Sequence, residues 1–320
     1  MARPDRILIT SSLSGADAKA LRRTGVRMAR GVYLEAGGDR FDLENRCRAA
    51  LAIAPRGALV CGPTALALML REAPQQLGQL ARGPVHLLVP HASTASPRRP
   101  GIAAHRRTQM PRPWRAGRSR IPTASPADSW AQVTSMLVGA DPWRPGQPVR
   151  RAAPGTFRHP SKARFLACVQ MADALMRRKK PILEAERFEA EVAQLPGRRG
   201  VRAVRDGFAW ARARTDSLPE TQLRLVLADG GLPEPVVNHG LTVEGRDKFL
   251  DLAWPGLKAA VEYDGRHHTT EPVQVEDDIR RRAAIHAAGW VTIEVLWEDV
   301  LAPTSLIARV RALIEGRAAA

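Results

Sequence analysis

Two short apolar runs, residues 248–254 and 258–264, are joined by Pro255-Gly256. A Pro-Gly step between two such runs is a tight hairpin signal, so the pair is expected to form neighbouring antiparallel strands. Each run carries a carboxylate where a core residue would fit. Asp251 sits between Leu250 and Leu252, and Glu262 follows Ala259-Ala260-Val261. Strand alternation predicts that Phe249, Asp251 and Ala253 share one side of the first strand, and that Glu262 and Asp264 share one side of the second. A carboxylate in a buried strand is costly unless a cation or hydrogen bonds offset it. Asp251, Glu262 and Asp264 are therefore candidate metal ligands and catalytic residues. Converging at the open end of a hairpin, they would suit Mg²⁺ or Mn²⁺, since magnesium takes few protein ligands and keeps several waters. Asp264-Gly265 also reads as a plain turn.

The surrounding pattern gives a helix over 221–228 closed by Gly230-Gly231, a strand over 236–243 and the hairpin. A helix over 274–288 stopped by Gly289, a strand over 290–297 and a helix over 305–315 follow. That order predicts an α/β fold: a mixed sheet flanked by helices. On the first of those two later helices Gln274, Asp278, Arg281 and Ile285 fall on one stripe, and Ile285 marks it as facing the sheet. Gln274 and Arg281 therefore join the catalytic candidates, with solvated helix-start residues as the plain alternative. His267-His268 between strand and helix supply a metal ligand, a general acid or a phosphate contact, one of the two being expected to act. Ser217-Leu218-Pro219-Glu220 is a capping box, which by itself accounts for Glu220.

Residues 1–200 differ in charge. They hold 34 Lys and Arg against 14 Asp and Glu, whereas residues 201–320 hold 15 against 18, so the whole formal excess of +17 lies in the first part. A two-domain division follows: a basic, mostly helical α+β domain at 1–200 and the mixed-sheet domain at 201–320. In the first, helices are expected over 14–24, 42–53, 64–71, 127–138, 161–178, 183–195 and 200–214, with a strand or hairpin over 26–34 and strands over 58–61 and 85–89. Residues 93–126 are rich in Pro, Ser and Arg and lack acids. They read as an exposed basic loop with at most one strand, presenting Arg98, Arg99, Arg106, Arg107, Arg112, Arg115, Arg118 and Arg120 to nucleic acid, with Trp114 among them. A solvated surface loop is the plain alternative. Cys47, Cys61 and Cys168 are odd in number and far apart, fitting neither a disulfide framework nor a C-x-x-C metal site. With no signal peptide and no 18-residue apolar run, a cytoplasmic protein without a membrane span is expected.

The stretch LDLAWPGLKAAVEYDGRHH and the following QVEDDIRRRAAIHAAGWVTIEVLWEDV resemble the C-terminal domain of actinobacterial proteins related to the very-short-patch repair endonuclease, in the PD-(D/E)XK superfamily. The resemblance covers about residues 217–315 and implies a restriction-endonuclease-like fold. It implies that Asp251 matches the first metal-binding aspartate and Glu262 the acid of the E-x-K element. Asp264-Gly265 and His267-His268 would match the strand-end segment, and Glu220 a helix glutamate of the repair enzymes. Asp264 stands where most of the superfamily has lysine, a charge that Lys258 or Arg281 could supply. No cysteine follows Cys168, so the structural zinc site of the repair enzyme, and with it mismatch specificity, does not carry over. Residues 1–200, through RRTGVRMARGVYL and GPTALALML, resemble AbiE-type antitoxins of abortive-infection systems, with a partial winged helix within residues 1–60.

The sequence therefore predicts a Mg²⁺- or Mn²⁺-dependent DNA endonuclease in a defence or repair setting. A homodimer would supply the two sites needed to cut both strands. Two other readings stand beside it: a non-catalytic DNA-binding regulator of antitoxin type on a degenerate nuclease fold, and a module meeting an acidic protein partner within a defence system.

Overall fold

The computed structural model describes residues 5–92, 99–138, 143–149, 154–195, 200–243, 245–265 and 272–320, and in 272–278 the backbone only. The chain divides into two compact units: residues 1–136 with 186–204, and residues 137–185 with 205–320. The division drawn from sequence at residue 200 thus differs from the division of contacts. The reason lies in helix α6 (Pro160–Leu175), whose Phe165, Leu166 and Val169 share one apolar cluster with Leu223, Leu252, Trp254 and Val261. Sequence proximity placed α6 with the basic half, whereas its buried area lies with the C-terminal sheet. Counted by unit, the first holds 25 Lys and Arg against 11 Asp and Glu, and the second 24 against 21, so most of the excess stays in the first.

The first unit begins with strands β1 (Ile7–Ile9), β2 (Val26–Ala29) and β3 (Val32–Leu34), ordered β1-β3-β2 and antiparallel. Helix α1 (Gly15–Thr24) is capped by Ser14, which accepts from the Asp17 amide, and stops at Gly25. A Cβ at Gly25 would lie 2.8–2.9 Å from Leu21 and the Leu34 carbonyl, so no larger residue fits that turn. Asp42 caps α2 (Leu43–Ala52) in the same way.

A second sheet has the order β6-β5-β4-β8-β7, formed by β4 (Leu59–Val60), β5 (Val85–Pro90), β6 (Ile102–Arg107), β7 (Trp114–Ala116) and β8 (Ile121–Thr123). Around it run α3 (Gly62–Met69), α4 (Gln75–Arg82), α5 (Pro126–Val138) and α7 (Ala185–Ala193). Helix α8 (Val201–Ala209) contains the unit boundary. Residues 99–126, expected as a loop with at most one strand, thus supply three strands. Parallel pairing of β6 with β5 and of β8 with β4 orders them, a long-range effect that composition does not register.

In the second unit, α9 (Leu218–Asp229) precedes a sheet of order β12-β11-β10-β9. Its strands are β9 (Val236–Val243), β10 (Arg246–Trp254), β11 (Ala259–Tyr263) and β12 (Val291–Val295). Helices α10 (Pro272–Ala287), α11 (Trp297–Leu301) and α12 (Thr304–Ala318) complete it. The first three strands are antiparallel and β12 is parallel to β11, the mixed sheet expected. One face carries the cluster shared with α6 and α9. The other holds Leu250, Ala253, Ala260, Ile285 and Trp290.

Two buried ion pairs fix the helices. Lys162 donates to Asp229 at 2.7 Å, and Asp229 also accepts from the amides of Gly146 and Gly155. Asp173 accepts from Arg224, from the Thr221 hydroxyl and from the Arg212 amide. No described helix is long and apolar enough to cross a membrane.

Candidate active site

Strands β9 and β10 both leave regular alternation at the same point. Val237 packs with the α6–α9 cluster, while His239, two residues on, lies against Trp290 with ring centroids 5.4 Å apart. In β10, Leu252 belongs to the α6–α9 cluster and Leu250 to the α10 cluster. Residues two apart in a regular strand share a face, so each strand carries an irregular residue between them, Asn238 and Asp251. Asn238 has φ +46°, the backbone mark of that step. The register is the same before and after it, Leu250 opposite His239 and Leu252 opposite Val237. The expectation that Phe249, Asp251 and Ala253 share one side is therefore corrected. The Phe249 ring lies under Arg178 at 4.1 Å, and Ala253 faces α10.

The irregularity opens a fork. The ladder between β10 and β11 ends at Leu252 and Val261, and Glu262 and Tyr263 pair onward with β12. Asp251 fills the gap with its side chain, Oδ2 accepting from the Tyr263 amide at 2.9 Å where a continued ladder would offer a carbonyl.

Three carboxylates meet at this fork. Glu220 is buried at the start of α9, where it accepts from the Asp216 amide at 3.0 Å, from the Ser217 hydroxyl at 2.8 Å and from Asn238 Nδ2 at 3.2 Å. Ser217 caps the helix as expected, its Oγ accepting from the Glu220 amide at 3.3 Å, but the Glu220 carboxylate reaches the Asp216 amide and the Ser217 hydroxyl in place of the Ser217 amide, and its contact with Asn238 ties it to the irregular step. Burial raises the Glu220 pKa above the ordinary glutamate value. Asp251 is pushed up to about 7, first by burial, then by the charges of Glu220 and Glu262. Glu262, 8% exposed, is gripped by Arg281 of α10 through both Nη groups, the Nη1–Oε2 contact measuring 3.0 Å. Arg281 also donates to the Phe249 carbonyl at 2.9 Å.

The candidates thus separate. Glu220, Asp251, Glu262 and Arg281 come together, and of the two cations considered Arg281 is the one at the site. Lys258 instead donates to the Ala288 carbonyl at 3.1 Å. Asp264 lies past the end of β11, its amide on the Val295 carbonyl at 2.9 Å, and its charge acts with that of Glu298 on the Tyr263 phenol. His267 and His268 lie outside the described residues. Gln274 and Asp278 lie on α10, with side chains outside the described set. Asn238 was not a candidate, and its one signal in the sequence was an amide inside the apolar run Val236-Val237-Asn238.

Several of the arginines expected to bind nucleic acid are engaged within the fold. Arg98 lies outside the described residues. Arg107 pairs with Asp128 at 2.8 Å, Arg118 reaches Glu44 at 3.5 Å and Asp42 at 3.7 Å, and Arg106 donates to the His91 carbonyl. Arg115 donates to the carbonyl of Arg120, which sits at a positive-φ turn. Arg112 is exposed, as is Arg99 at the edge of a cleft, and the Trp114 ring is covered by Arg187 at 5.1 Å.

No family model matches the chain. Two proteins from strains of Mycobacterium tuberculosis, each described as uncharacterized, are 33% identical to it over 125 residues. The match covers 38% of this chain and 46% of each relative, so the chain spans about half the length of the curated relatives it matches.

Proposed function

We propose that the second unit is a restriction-endonuclease-like domain that hydrolyses DNA phosphodiester bonds, with the acids at the fork as its catalytic centre. The observation that carries this reading is the meeting of buried Glu220, Asp251 and Glu262 with Arg281 where the β10–β11 ladder ends. A carboxyl held near pH 7 by burial and two neighbouring acids stores repulsion that a bound cation would relieve. The mixed sheet with its hairpin and parallel last strand suits the same reading.

A divalent cation fits the donor set in kind. Magnesium binds through one or two carboxylates and keeps waters, and Asp251 and Glu262 would be its protein ligands, with Glu220 beside them. Among the described residues there is no group of three His, Cys, Asp or Glu side chains able to hold a metal. When bound, the ion supplies polarisation of the phosphate and an acidified water. The chain's own residues do the rest. Tyr263 N–H orients Asp251, Asn238 and Ser217 hold Glu220 beside it, and Arg281 offers positive charge to a phosphate once Glu262 turns to the cation. The basic first unit would hold the DNA backbone, with an affinity that falls as salt rises.

One observation favours a second reading. Arg281 already neutralises Glu262, as a lysine-lacking, non-catalytic DNA-binding regulator would need. Supercoiled plasmid incubated with Mg²⁺ or Mn²⁺ decides between them. Nicking or linearisation by the wild type, lost in Asp251→Ala and Glu262→Ala, is the expected result. Plasmid left intact by all three would overturn the catalytic reading, and retained, salt-sensitive DNA binding would then support the regulator.

A further inference from the structure

The first unit contains a cleft of about 770 Å³, within the roughly 300–1,000 Å³ typical of ligand sites. It lies among the end of β2, the segment before α2, the outer side of α2, the turn after α4 and the lead into β6. Among the described residues four guanidiniums line it, from Arg40, Arg46, Arg82 and Arg99, and no carboxylate does. Arg46 is committed to the fold, donating to the Ala81 carbonyl at 3.1 Å and to the Gly83 carbonyl. Arg40, Arg82 and Arg99 are exposed and form no ion pair among the described residues.

Phe41 stands on the same cleft. It is 80% exposed, where the next large apolar side chain, Ile279, is 59%. Its position is set by a pinned turn. The Phe41 amide donates to Asp39 Oδ1 at 2.8 Å, and buried Asn45 donates to the Asp39 carbonyl at 2.9 Å and to Asp5 at 2.6 Å. The Arg40 guanidinium lies 5.7 Å from the centre of the Phe41 ring. Across the cleft, Met28 lies at a break in the β2–β3 register, between Arg27 and Ala29. A bare ring on a pinned backbone, beside guanidiniums without ion pairs among the described residues, presents a flat apolar face next to positive charge.

We infer that this cleft binds single-stranded nucleic acid, an unpaired base stacking on Phe41 and its flanking phosphates meeting Arg40, Arg82 and Arg99. An unpaired strand offers π-faces and repeated negative charge together along its length, whereas a duplex hides its base faces. This deepens the nucleic-acid reading above and rests on it. It adds that the strand engaged by the first unit is unpaired.

The test uses the full chain in EDTA, with fluorescence anisotropy of a labelled oligothymidylate, an abasic strand of equal length and a duplex. Phe41→Ala should weaken oligothymidylate binding roughly tenfold and leave the abasic strand unaffected, while Phe41→Trp restores it. Arg40→Ala and Arg99→Ala should each lower the salt slope by about one. Unchanged oligothymidylate affinity in Phe41→Ala, with circular dichroism confirming the fold, would overturn the cleft while leaving DNA binding elsewhere intact. A duplex that binds more tightly than the single strand and is indifferent to Phe41 would do the same. Displacement by polyglutamate at equal charge would assign the cleft to acidic polypeptide. Binding of no oligonucleotide at all would overturn both this inference and the nucleic-acid reading beneath it.

Discussion

Arg281 holds Glu262 through both ends of its guanidinium, with Nη1 at 3.0 Å from Oε2, and extends past it to the Phe249 carbonyl at 2.9 Å. The side chain from the helix therefore bridges the two strands where their ladder has ended. It brings positive charge to the fork beside Glu262 and Asp251.

Arg281→Ala leaves Glu262 buried without its partner. Loss of one member of a buried pair costs about 3–5 kcal/mol, and partial exposure of Arg281 brings the expected loss to about 2–3 kcal/mol. Urea unfolding with and without Mg²⁺ measures it. Recovery of more than half the loss by millimolar Mg²⁺ in the variant, but little gain in the wild type, is expected if ion and arginine compete for Glu262. Equal effects on both proteins would show that they do not.

Asp251→Asn should change the pH dependence of stability. The folded carboxyl, at about 7, lies above its unfolded value, so the folded state binds more protons between about pH 4 and pH 7. Stability is therefore lost as pH rises through that window and levels off above it. The amide retains an acceptor for Tyr263 N–H and carries no charge, so the variant should gain on the wild type by roughly 3 kcal/mol between those limits. Thermal unfolding at both pH values reads the difference, and parallel curves would contradict it.

Glu220→Gln removes the stronger of the two like charges acting on Asp251. The Asp251 pKa should fall below 7 yet stay above the ordinary aspartate value, because burial, the larger cause, remains. Carboxyl ¹³C chemical shifts followed against pH would show the change. Since the two acids titrate together, the wild type should show two steps and the variant one.

Asp173→Ala would strand Arg224, which is fully buried and also meets Glu234 at 3.2 Å. The cost should be about 3–5 kcal/mol, read from the urea midpoint. Replacing Asp173 and Arg224 together with apolar residues should cost less than the single change, because no buried charge then lacks its partner.

The C-terminal half was legible because its signals are local. Ser217 and Glu220 cap α9 through contacts three residues apart, Pro255-Gly256 turns the hairpin, and Ile285 marks the buried stripe that also carries Arg281. Strict alternation was the rule that failed. It gave the right strands but the wrong companions for Asp251, because a step shared by Asn238 and Asp251 depends on two strands irregular at the same level.

By itself the sequence determined the order of the main helices and strands after residue 217, which carboxylates interrupt apolar runs and where the positive charge accumulates, all properties of short windows. Tertiary structure alone decided that α6 packs with the second unit, that residues 99–126 form strands, that Glu262 meets Arg281 rather than standing open, and that Phe41 stands bare on an arginine-lined cleft. Each of these depends on residues far apart in sequence meeting in space, and pairing energy between distant segments leaves no periodic trace in either one.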